Sequence, residues 1–174
     1  MEHTRGCKCC CWQLCTCVDC RFFMTPTGGL KFSQIVACAI SQYALIKYSL
    51  KIGPDLGQVY IWFLSLNSAY LFISIMLYCT YSLSFKTLIK VRSSLMDSVF
   101  STVGCILYAL GSSYLIYRVH VDLYYFFVTI PHFQTYPALI VTCAFGYVLS
   151  LLYGIDAIMA YCFSCHQPEL SSSA

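Results

Sequence analysis

The sequence is short of charge. Asp, Glu, Lys and Arg make up only 10% of its 174 residues against 59% hydrophobic, and the mean hydropathy is +0.71. A water-soluble domain carries about 25% charged residues, so this composition excludes an ordinary aqueous surface. The net charge of +3 is small, and its basic residues are scattered, which argues against a nucleic-acid partner. A signal-peptide pattern is missing too. Where its apolar core would stand, the first twenty residues hold seven cysteines with Glu2, Arg5, Lys8 and Asp19. The first apolar run is therefore expected to serve as its own uncleaved insertion signal. No N-x-[ST] sequon occurs, since Asn67 is followed by Ser68 and Ala69. No nucleophile–base pair, phosphate-binding glycine loop or metal cage can be assembled, with His3, His120, His132 and His166 dispersed along the chain. No enzymatic activity, cofactor or metal is expected.

What the chain does have is four long apolar runs: Leu30–Leu50, Val59–Cys79, Leu95–Tyr117 and Pro137–Phe163. Each is long enough to cross a hydrocarbon core of ~30 Å at 1.5 Å per residue. The fold class expected is all-α, a four-helix transmembrane bundle. Residues 1–24 read as a cysteine-rich cytosolic segment, 25–165 as the membrane domain and 166–174 as a tail. Arg5, Lys8, Arg21, Lys31, Lys86, Lys90 and Arg92 fall on one side of the spans, and Lys47, Lys51 and Arg118 on the other. The positive-inside rule then places both termini in the cytosol. Such a protein is expected in the plasma membrane, in vesicles, or in both, with the lipid bilayer as its first partner. Other membrane proteins or a second copy are further candidates.

Thirteen cysteines are present, yet neither expected outer link, 51–58 or 118–136, contains one. A disulfide-stapled outer module is thereby excluded. Cys7, Cys9, Cys10, Cys11, Cys15, Cys17 and Cys20 stand beside Lys8, Trp12, Leu14, Arg21, Phe22 and Phe23. Juxtamembrane cysteines in that setting are S-acylation candidates, each chain adding ~0.8 kcal/mol per buried CH₂. Zinc binding through Cys17 and Cys20, and unmodified or redox-active thiols, are the rival readings. Cys162-Phe163-Ser164-Cys165-His166 has the C-x-x-C-H form of haem attachment, but a reducing cytosol makes two further acylated cysteines the favoured reading.

Asp156 sits seven positions before Phe163, so ~10 Å inside its helix. An intramembrane carboxylate is a functional candidate by default. No second charge is evident at its depth, so a protonated group, or one bonded to hydroxyls or to Gln34, is expected, acting as interhelical glue. Asp97 reads as a helix-capping residue behind Ser94. The run Val121–Ile130, with Tyr124, Tyr125, Phe126 and Phe127, is too short to span and reads as an interfacial or re-entrant segment in the outer link. Small residues recur every fourth position at Gly29, Ser33, Ala37 and Ser41, at Ser101, Cys105, Ala109 and Ser113, and at Gly146, Ser150 and Gly154. Such stripes allow close helix approach within one bundle or between copies.

Thr25-Pro26-x-Gly28-Gly29-Leu30-Lys31 before the first helix, Asp97 opening the third, and Tyr153-Gly154-Ile155-Asp156-Ala157 in the fourth resemble the pattern of MARVEL-domain proteins across residues 25–165. That resemblance implies four helices, cytosolic termini and no enzymatic activity. It also implies a role in vesicle trafficking, membrane apposition, junction assembly or cell–cell fusion, including fusion of the myoblast type. The cysteine-rich first segment is not part of the family pattern. A small membrane transporter or channel is the alternative from another class, and short links with no broken helix pair count against it.

Overall fold

The computed structural model describes residues 25–49, 57–83, 95–129 and 134–171. They form four helices: α1 Pro26–Ser49, α2 Gln58–Leu83, α3 Leu95–Thr129 and α4 Thr135–Ser171. Each of the four is long and apolar enough to cross a membrane. The cysteines from Cys7 to Cys20, the capping position Ser94 and the side chain of Cys165 lie outside what the structure describes.

Local chemistry accounts for the helix starts. Thr25 Oγ1 accepts a hydrogen bond from the Gly28 amide at 3.2 Å, as a helix-capping threonine does. Pro26 follows at the first helical position, where its missing N–H costs nothing. Gly57 precedes α2 with φ +69°, a left-handed conformation that glycine adopts without penalty.

Successive helices run up and down, and α1 closes the ring against α4. The described ends of α1 and α4 that lead to the two termini therefore lie at the same end of the bundle. The α3–α4 pair is the most extensive interface. There the small residues interdigitate: Ser150 Oγ donates to the Cys105 carbonyl at 2.9 Å, and the Gly154 position lies 3.4 Å from Cys105 Sγ. In α1 the small-residue stripe does not face its neighbours as one strip. Ala37 and Ser41 are buried, whereas Gly29 and Ser33 are exposed.

Between α2 and α3 the backbones stand further apart, and aromatic side chains fill the space. Tyr70 lies over Gly104, and Trp62 and Phe63 lie over Gly111. Tyr70 stacks on Phe100 at 4.8 Å and meets Tyr108 and Tyr153 edge-on at 5.4 and 5.3 Å. Such ring pairs contribute ~0.5–1.5 kcal/mol each beyond burial. A cleft of about 370 Å³ remains beside them, lined by Gln58, Val59, Trp62, Leu110 and Tyr114.

One expectation is corrected. The run beginning at Val121 is not a separate interfacial or re-entrant segment, because α3 continues unbroken through Thr129. The buried stripe Leu115, Val119, Leu123 keeps helical spacing across the expected boundary, and Arg118 pairs with Asp122 at 3.0 Å, one turn on. No proline occurs between Leu95 and Ile130. At 35 residues α3 is ~52 Å long, against ~36 Å for the 24-residue α1.

Gly104→Ala should lower stability by ~1–3 kcal/mol, because its Cβ would stand 2.7 Å from the Tyr70 ring and 3.3 Å from that of Tyr153. Gly29→Ala, with nothing within 4 Å of the new carbon, should leave the unfolding midpoint in detergent unchanged or slightly raised. Circular dichroism melts of the two variants check the contrast.

Candidate functional site: buried polar clusters inside the bundle

The bundle interior holds a chain of polar groups linking all four helices. At one end stands Lys31, on the first turns of α1, with its side chain fully buried. Its Nζ lies 3.2 Å from Asp97 Oδ1 on α3 and 2.5 Å from Asp156 Oδ2 on α4. Both carboxylates are also fully buried. Ser101 donates its hydroxyl to Asp156 Oδ2 at 2.9 Å. One ammonium thus ties three helices together where little water can reach.

One expectation is overturned, since Asp156 does have charged neighbours at its own depth, one from α1 and one from α3. Of the hydrogen-bond partners expected for it, a hydroxyl is found in Ser101, whereas the Gln34 amide nitrogen donates to the Leu152 carbonyl at 3.3 Å. Asp97 stands in the first turn of α3, where a carboxylate favours the helix dipole, and the same side chain belongs to the ion cluster. In sequence Lys31 looks like one more flanking basic residue. Only the packing of α1 against α3 and α4 reveals its partners.

One layer further along, Tyr153 OH and Ser74 Oγ are 2.7 Å apart, joining α4 to α2. Next comes Asn67, fully buried in α2. Its amide nitrogen donates to the Cys38 carbonyl at 3.0 Å and to Gln42 Oε1 at 2.8 Å, and its Oδ1 accepts from Tyr108 OH at 3.0 Å. Tyr108 spends its proton on Asn67, so the Cys38 thiol, 3.4 Å away, is the donor in that contact. Gln42 completes the set by donating to Ser68 Oγ at 2.8 Å. Nearer the opposite end Tyr60 donates to the Leu45 carbonyl at 3.2 Å. Asn67, Tyr108 and Ser74 are the functional-looking positions that sequence reasoning missed. The signal available was a lone asparagine inside an apolar helix.

The four outer aromatics come out differently. Tyr124, Tyr125, Phe126 and Phe127 are all exposed on the last turns of α3. Phe127 stacks on Tyr136 at 4.9 Å, and Tyr136 OH meets His120 Nδ1 at 3.2 Å. Ser101 faces Asp156, Cys105 faces Ser150, and His120 faces Tyr136. That antiparallel register brings the last turns of α3 to the very start of α4 and past it, with Tyr124 and Phe127 still meeting Tyr136. A largely apolar helical spur therefore projects past the Arg118–Asp122 ion pair. Cys162, by contrast, is exposed near the Lys31 end of α4.

Removing Lys31 should be costly, because it takes a buried ammonium away from both Asp97 and Asp156. Lys31→Met is expected to lose ~3–5 kcal/mol. Combining it with Asp97→Asn and Asp156→Asn should recover most of that loss. Asn67→Leu should cost ~1–3 kcal/mol by stranding Tyr108 OH and the Cys38 carbonyl. Chemical or thermal unfolding in detergent measures all three, and a neutral Lys31→Met would show that the cluster contributes nothing.

Comparison with known proteins adds one relative. Protein singles bar of Drosophila melanogaster is 29% identical over 162 residues, covering 92% of this chain and 92% of the relative. No family model matches the chain, and no solved structure matches it. The chain is therefore similar along nearly its whole length to singles bar, and its four helices make it a multi-pass membrane protein.

Proposed function

We propose that this protein is a non-enzymatic membrane organiser of the MARVEL type, acting in membrane apposition and cell–cell fusion, with vesicle traffic as the route that delivers it. The observation that carries this reading is the end-to-end similarity to singles bar, which fits the fusion role implied by the family resemblance. The polar interior supports it as well. The hydrogen bonds of Asn67, Tyr108, Ser74 and Tyr153 are made to one another and to neighbouring helices, as structural ties would be. Acylation of Cys162 and of the cysteines from Cys7 to Cys20 would hold the Lys31 end against one leaflet.

At the opposite end the α3 spur is the working surface. Its aromatic residues lie beyond the Arg118–Asp122 pair, so they sit at or above the headgroups rather than within the hydrocarbon. Tyr and Phe exposed there would engage a closely apposed bilayer. A transport reading draws on the Lys31–Asp97–Asp156 cluster, because intramembrane charges also mark ion pathways. Reconstituted flux that is lost in Asp156→Asn would favour transport.

Replacing Tyr124, Tyr125, Phe126 and Phe127 together by Ser tests the organiser reading. The variant should fold, reach the membrane and fail in a cell–cell content-mixing assay. Normal mixing would refute the role given to the spur. Retention inside the cell would show instead that these side chains are needed for folding.

A further inference from the structure

At the end of the bundle away from Lys31, the cleft of about 370 Å³ opens between α2 and α3. Two stripes with i,i+4 spacing face each other across it, Gln58 and Trp62 on α2 and Leu110 and Tyr114 on α3, with the buried Val59 beside them. The two helices are antiparallel, so Gln58 is level with Tyr114 and Trp62 with Leu110. Gly111 lets the Trp62 ring lie against the α3 backbone, since a Cβ there would stand 2.9 Å from it. One level of the cleft is therefore polar, with an amide and a phenol, and the level below is apolar and aromatic. Trp62, Leu110 and Tyr114 are exposed. Among the described residues, neither the Gln58 side chain nor the Tyr114 hydroxyl has a hydrogen-bond partner. Arg118, paired with Asp122, marks where α3 leaves the hydrocarbon, and Tyr114 lies one turn, ~6 Å, below it.

A cleft that opens sideways from a membrane bundle is filled from the bilayer, and its chemistry selects the occupant. A phospholipid tail offers nothing to the amide and the phenol, and it loses rotamer freedom when ordered. A sterol carries one hydroxyl at one end of a rigid fused-ring body. It matches one polar level above an apolar one, and it is ordered at little entropic cost. The volume lies in the range of small-molecule sites, and the exposed Ile106 and Val103 continue the Leu110 face of α3 inward for the sterol tail. The sequence supplies an independent pointer. Leu110-x3-Tyr114-x3-Arg118 has the Leu/Val–Tyr–Lys/Arg form associated with sterol contact, a short pattern that means little alone. The same form occurs at Leu45-x2-Tyr48-x2-Lys51 and Leu77-x3-Tyr81-x4-Lys86, but there Leu45 and Tyr81 are buried in the bundle. Leu110 and Tyr114 are both exposed and both line the cleft.

We propose that the α2–α3 cleft is a binding site for one membrane sterol. The sterol hydroxyl lies between the Gln58 amide and the Tyr114 phenol, and the rings lie between Trp62 and Leu110. Bound there, the sterol joins α2 to α3 across the gap between them. The site goes beyond the organiser reading and does not depend on it, since it requires only that the bundle sits in a bilayer.

The test uses the full chain with Trp12→Phe, which leaves Trp62 as its sole tryptophan, in phosphatidylcholine nanodiscs. Dehydroergosterol, a fluorescent sterol, is added in steps, and energy transfer from Trp62 is recorded. Transfer should saturate at one sterol per chain. Cholesterol should reverse it, and epicholesterol, whose hydroxyl has the opposite configuration, should not. Tyr114→Phe keeps the ring and removes the hydroxyl, so it should weaken binding about fivefold. Leu110→Phe narrows the cleft from an exposed position and should remove the saturable transfer. Phosphatidylcholine with brominated acyl chains reports the rival occupant, and its quenching of Trp62 should fall once sterol is added. Transfer that rises with sterol without saturating would overturn the site. So would equal competition by the two epimers, or bromine quenching that sterol leaves unchanged, which would assign the cleft to phospholipid tails. Should either variant fail to fold by circular dichroism, the comparison of epimers on the chain with Trp12→Phe alone decides.

Discussion

Inside a bilayer a charged side chain has only other protein groups to solvate it, and Lys31 is held to that condition. Its ammonium is fully buried, so it must be met by carboxylates from other helices. Asp97 and Asp156 meet it from α3 and α4, which fixes the height and rotation of α1 against both. The rest of the architecture follows from that anchor. Once Lys31 is aligned with Asp97, Gln34 comes level with Leu152, Cys38 with Tyr108 and Asn67, and Leu45 with Tyr60. Each layer then repeats the same requirement with neutral groups. The anchor also bears on orientation, because Lys31 is engaged inside the bundle. The topological bias then rests on Arg5, Lys8, Arg21, Lys86, Lys90 and Arg92.

Two kinds of contact share the work of packing. Between α3 and α4 small residues let the backbones approach, and a serine hydroxyl reaches a backbone carbonyl on the neighbouring helix. Lipid tails are as apolar as leucine, so such close contacts and interhelical hydrogen bonds are what favour helix association. Between α2 and α3 the approach is looser, and a slab of Tyr70, Phe100, Tyr108 and Tyr153 rings spans the distance. Glycines at 104 and 111 make room for it. The α3–α4 hairpin is accordingly the most closely packed pair of the bundle, and it also carries the spur.

Four spans, their approximate limits and the all-helical class were legible in the sequence because each rests on local composition. A run of twenty apolar residues has few options in lipid but a helix that satisfies its own backbone. The end of α3 was misjudged because composition changes at Tyr117, from aliphatic to aromatic with Arg118, His120 and Asp122 mixed in. Periodicity does not change there. Leu115, Val119 and Leu123 continue the buried stripe, and that spacing was the better guide.

The candidate site was half legible. Asp156 and Gln34 stand out as polar residues in apolar helices, and both are buried in the structure. Their partners could not be read off, since Lys31, Asp97 and Asp156 are 66 and 59 positions apart along the chain, and nothing local joins them. Lys31 also sits where membrane proteins commonly place an interfacial basic residue, so its sequence context argued for water. By itself the sequence determined that this chain is helical, spans a bilayer and buries a carboxylate. Only the tertiary structure decided which charges neutralise one another. Burial of a charge depends on what three separate helices bring to one point, and no stretch of sequence contains that point.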